Sequence, residues 1–99
     1  MDGPGIEAWR VPTSPTPQAA LGRAIGLRRR ENGLSQEALA DAAGITDRRL
    51  REIEAGAGNP TWHVADSIAR ALGWSLAELA QHADELETED RRPTNQPLK

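Results

Sequence analysis

Ninety-nine residues hold one ordinary domain, and with 37% apolar residues, three Trp and no Phe or Tyr, its interior must come from Leu, Ile and Ala, which favours helix over sheet. The absence of Cys excludes disulfide frameworks and Cys-based zinc sites and suits a reducing compartment, and two His alone cannot hold a metal, so no cofactor is expected. The net charge of −3 lies in the ends: one Arg against two acids over 1–18, eight Arg against eight acids over 19–83, three bases against five acids over 84–99.

Residues 1–18 carry Pro4, Pro12, Pro15 and Pro17 with Gly3 and Gly5 and no sustained periodicity, and are expected to form a flexible arm. They also lack the basic-then-apolar order of a secretion signal, and no stretch approaches the ~20 apolar residues of a membrane span. A cytoplasmic protein without membrane contact is expected. A first helix is predicted over 19–32, with Leu21, Ala24 and Ile25 inward and Gly33 ending it. Ser35 caps a second over 36–43, closed by Gly44, and Thr46 caps a third over 47–55 with Leu50 and Ile53 inward. After the loop at 56–60, Thr61 caps a fourth helix with Val64, Ala65, Ile68, Ala69 and Leu72 at helical spacing, stopped by Gly73. Ser75 opens a fifth, to about Leu86, carrying Leu76, Leu79 and Ala80. Residues 87–99 are expected to be a disordered charged tail. The fold class is all-α, with one folded domain over 19–86.

The informative stretch is 36–56, QEALADAAGITDRRLREIEAG, two short helices about a turn at Gly44. Gly44 suits positive φ where the chain reverses, Ala40 is small where two axes cross, and Leu39, Ala43, Ile45, Leu50 and Ile53 form the wedge between them. This is a helix-turn-helix arrangement, whose second helix can enter a DNA major groove while the first crosses the backbone. The arginine clusters Arg28-Arg29-Arg30 and Arg48-Arg49-x-Arg51 allow a local basic face on an acidic protein.

Residues 19–83 resemble the Cro and phage-repressor (lambda-repressor-like) helix-turn-helix proteins, the XRE family. The resemblance rests on Gly33-Leu34-Ser35-Gln36-Glu37-Ala38-Leu39-Ala40, Ala43-Gly44-Ile45-Thr46, Leu50-x-x-Ile53-Glu54-x-Gly56, Asn59-Pro60, and Ile68-Ala69-x-Ala71-Leu72-Gly73 followed by Ser75-Leu76-x-Glu78-Leu79. It implies five helices, a homodimer, and sequence-specific binding of double-stranded DNA as a prokaryotic transcriptional regulator, nucleoid-associated when bound and with no enzymatic activity; a repressor is the family's type, and repression or activation stays open. Carried over, Gln36 would touch a phosphate or base edge, and Thr46, Asp47, Arg48, Arg49, Arg51 and Glu52 would stand at or in the groove. Arg48 suits guanine, Glu52 cytosine, Arg49 and Arg51 phosphates, while Asp47 suits the helix N-terminus itself. Asn59 and backbone N–H groups are the loop's candidates, because 56–59 reads Gly-Ala-Gly-Asn where relatives supply Lys or Arg to phosphate. Arg29 and Glu54 fall where the family pairs an arginine with a glutamate, and a structural ion pair is expected. Position 28, often Leu in relatives, is Arg here, which leaves open whether the first helix rotates or exposes Arg28 to the DNA backbone.

Asp47 with Arg51 and Arg48 with Glu52 are also i,i+4 pairs that stabilise any exposed helix, so these residues fit a merely solvated face as well. His63 with Asp66 lacks a nucleophile or metal partner and reads as surface, as does His82. Trp74 is expected in the core or a dimer contact with Leu79 and Leu86, and Trp62 under the loop. Trp9, with Ile6 and Val11, suggests a short docking segment. It supports the rival reading: an antitoxin-like or adaptor protein whose arm or acidic tail binds a protein partner.

Overall fold

Each of the five helices among the described residues opens on a hydroxyl that accepts the backbone N–H three residues further on, which satisfies one of the donors a helix start leaves unpaired. The acceptors are Thr16, Ser35, Thr46, Thr61 and Ser75, at 3.0–3.1 Å. The structure, a computed structural model, describes residues 16–91. The helices are α1 (Pro17–Glu31), α2 (Gln36–Ala43), α3 (Asp47–Glu54), α4 (Trp62–Ala71) and α5 (Leu76–Arg91), and no strand occurs among the described residues. At α5 the cap is reciprocal, since the Ser75 N–H also donates to Glu78 Oε1 at 2.7 Å.

Two boundaries differ from the sequence expectation by more than one residue. α1 begins at Pro17 rather than Ala19, because Thr16 caps it and a proline at the first helical position has neither a bond to lose nor a φ to change. Residues 16–18 thus belong to the folded unit rather than to the arm. α5 runs to Arg91, five residues past Leu86, since no Gly or Pro interrupts it before Pro93 and Ala83 and Leu86 keep it against the core. The stretch 87–91 is therefore helix and not disordered tail. Residues 1–15, with the rest of the expected arm, and 92–99 lie outside the described residues.

The core is aliphatic, as the composition requires. Ile25, Leu39, Leu50, Ile53, Ile68, Leu72 and Leu79 are fully buried, each contributing about 1.5–3 kcal/mol by removal from water, and no polar or charged residue is fully buried with them among the described residues. α1 lies against α5 on one side and against α3 on the other, while α2 packs on α3 and α4, and α4 on α5. This arrangement holds α2 and α3 from behind and leaves their outer faces in solvent.

Candidate nucleic-acid interface

The α2–α3 corner is tightened by two bonds across the turn, Gly44 N–H to Asp41 O at 3.2 Å and Ile45 N–H to Ala40 O at 3.0 Å. Gly44 has φ 75°, a conformation that a side chain disfavours and that the sharp reversal requires. Thr46 then starts α3, and Leu50 and Ile53 turn fully inward onto Leu39 and Ala40. With those two positions buried, helical geometry points Arg48 and Arg51 outward, their side chains 88% and 56% exposed. The outer face carries three arginines and two acids, all in ion pairs: Arg48 with Glu52 at 3.5 Å, Arg51 with Asp47 at 3.7 Å, and Arg49 with Glu52 at 3.8 Å. Exposed pairs of this kind hold about 0.3–0.5 kcal/mol each, so an incoming phosphate or base edge can displace them.

The far end of α3 is clamped to α1. Arg29 donates from Nε to Glu54 Oε2 at 2.8 Å and from Nη2 to Oε1 at 3.1 Å, and from Nη1 to the Leu34 carbonyl at 3.0 Å. Both side chains are about nine-tenths buried, as the structural pair foreseen for these residues demands. The approach that makes this reach possible depends on Gly22, to which sequence chemistry assigns no role above. A Cβ there would stand 2.3 Å from the Ile53 carbonyl oxygen and 2.6 Å from that of Glu54. The available signal was its position inside a helical pattern, where Gly costs about 1 kcal/mol against Ala and so implies a packing reason.

Other candidates sit differently from expectation. Gln36 Nε2 donates to Glu54 Oε1 at 3.0 Å, which makes its amide part of the clamp rather than an outward-facing group. Arg49 bends toward the loop, where Nη2 donates to the Asn59 carbonyl at 3.2 Å, and the Asn59 side chain in turn accepts from Gln18 Nε2 at 2.6 Å. The loop lacking its own cation is thus braced by an arginine from α3. Arg28 points away from the α2–α3 face: its Nε donates to the Leu72 carbonyl at 3.2 Å and its guanidinium lies 4.9 Å from the Trp74 ring centre. That ring stacks on His82 at 4.4 Å, and Leu27 is exposed instead. Leu79 is fully buried in its own chain, which removes it from the expected dimer contact. Trp62 is 78% exposed and not tucked under the loop. Asp66 pairs with Arg70 at 3.1 Å rather than with His63.

Among the described residues, no helix is long and apolar enough to cross a membrane, and no group of three His, Cys, Asp or Glu could hold a metal ion. The model of a family described as a helix-turn-helix domain matches residues 20–82. Over 65 residues, 66% of this chain and 84% of the relative, the sequence is 40% identical to the uncharacterised HTH-type transcriptional regulator y4dJ of Sinorhizobium fredii. An uncharacterised HTH-type transcriptional regulator of Methanothermobacter thermautotrophicus is 44% identical over 49 residues, 50% of this chain and 71% of that one. The fold is similar to the crystal structure of the clp gene regulator ClgR from Corynebacterium glutamicum, with TM-score 0.73, 28% identity, and 77% of this chain and 81% of that chain covered.

Proposed function

The chain belongs to the helix-turn-helix domain family, and on that premise we propose that it is a DNA-binding transcriptional regulator that lays α3 in the major groove of a specific operator. The observation that carries the groove placement is the exposure of Arg48, 88% in its side chain, on a short helix whose opposite face is fully buried and whose two ends are held by the Thr46 cap and the Glu54 clamp. A contact residue on so rigid a mount meets a base edge without the entropic cost of ordering a loop.

Roles follow from geometry and donor chemistry. Arg48 donates twice to guanine O6 and N7, Glu52 accepts from a cytosine amine, and Arg51 flanks a phosphate. Asp47 serves the helix N-terminus and holds Arg51 in place until DNA arrives. Thr46 and Asn59 border the face, with the Asn59 amide nitrogen as a donor to phosphate. Arg49 reaches a phosphate by keeping its loop bond on one nitrogen and presenting the others. Gln36 reaches one only by exchanging its bond to Glu54. Two copies would read half-sites about 34 Å apart, one helical turn of DNA.

Selection from random duplex DNA followed by a salt titration on the enriched sequence tests this reading. A recovered two-fold motif whose affinity falls with salt supports specific, dimeric, phosphate-anchored binding. No enrichment even at low salt would refute it and direct attention to a protein partner.

A further inference from the structure

Among the described residues, an apolar groove of about 410 Å³ lies open between the start of α1, the start of α4 and α5. Pro17 and Leu21 form one wall, Pro60 and Trp62 another, and Leu76 and Leu79 the floor, and no charged residue lines it. Trp62 stands over it with 78% of its surface in solvent. A second hollow between α1 and α5 shares Pro17, Leu21 and Ala80 with this groove and is lined further along by Ala83, Asp84 and Glu87.

We propose that this groove is the docking site of the chain's own residues 6–11, IEAWRV, with Trp9 seated against Trp62 and Leu76. The attachment point argues for this occupant, because Pro17 is both a wall of the groove and the residue through which everything N-terminal to it enters the fold. Trp9 precedes Pro17 by eight residues, a reach of up to about 26–29 Å. The segment matches the surface in chemistry: Ile6, Trp9 and Val11 supply apolar groups for the uncharged groove, and Arg10 beside Trp9 supplies a cation for Asp84 and Glu87 of the adjoining hollow. Residues 12–16 are so short a linker that the effective concentration of the segment at the groove is millimolar, which a second copy in dilute solution does not match. The segment's role is then to cover an apolar face beside the loop that carries Asn59, independently of whether DNA is bound.

Fluorine NMR of the full chain labelled with 5-fluorotryptophan tests the assignment, with Trp9→Phe identifying the Trp9 line. The expected result is a Trp9 line shifted away from that of a 1–15 peptide, unchanged on hundredfold dilution, and returned to the peptide position by Leu76→Glu. That variant places a carboxylate in the groove at the first position of α5, where the helix dipole favours it, and circular dichroism checks that the helices persist. A Trp9 line at the peptide position in the parent chain overturns the proposal. So does a shift that vanishes on dilution, which would assign the groove to a second copy, or a shift that survives Leu76→Glu in a folded chain.

Discussion

Arg29 on α1 and Glu54 on the last turn of α3 face each other through two parallel N–H···O bonds of 2.8 and 3.1 Å, and a third donor, Gln36 of α2, closes on the same carboxylate at 3.0 Å. One carboxylate therefore ties together the three helices that set the orientation of the outer face of α3. Its burial makes the contact both specific in geometry and costly to leave half-made.

Removing either partner strands a buried charge. Arg29→Ala or Glu54→Ala is expected to lower unfolding stability by about 3–5 kcal/mol in urea titrations, whereas the double variant Arg29→Met/Glu54→Leu recovers most of the loss. Single variants within about 0.5 kcal/mol of the parent would show that the pair is solvated and not structural.

Gly22 sets the spacing at the same contact. Gly22→Ala gains about 1 kcal/mol of helix propensity but drives a methyl into the carbonyls of Ile53 and Glu54, so a net loss of about 1–3 kcal/mol is expected. Thermal unfolding followed by circular dichroism reads the sign, and a raised midpoint contradicts the close approach.

On DNA, Arg48→Ala is expected to cost about 1–3 kcal/mol on the selected sequence and to relax preference at one base pair, while affinity for random duplex stays close to the parent value. Equal affinity and equal selectivity in parent and variant would remove Arg48 from the groove.

Arg49→Ala should behave otherwise. Loss of a phosphate donor weakens all sequences alike and shallows the salt dependence by about one ion per copy. Because Arg49 also holds the Asn59 carbonyl, faster amide exchange across residues 57–59 should accompany it in the free protein. An unaltered salt slope leaves only the loop-bracing role.

Local chemistry determined much of this protein in the sequence itself. Hydroxyls at 35, 46, 61 and 75, glycines at 33, 44 and 73 and aliphatic residues at helical spacing place four helix starts and three stops, because caps and positive-φ turns depend on single residues and their immediate neighbours. The Arg29–Glu54 pair was legible too, though only through the family pattern. Local signals conflict at the two ends: Pro17 shares the composition of a proline-rich arm although Thr16-Pro17 is a helix start, and the stretch 87–91 has the composition of a charged tail although nothing in it breaks a helix. Side-chain direction came from the packing of helices on one another. Whether Arg28 turns toward α3 or toward Trp74, whether Gln36 and Arg49 face outward or brace their own chain, and why Gly22 must lack a side chain depend on carbonyls, rings and carboxylates brought from 18 to 44 residues away for the hydrogen-bonded contacts of Gln36 and Arg28. Helical periodicity assigns a residue to a face of its own helix; packing between helices decides what that face meets.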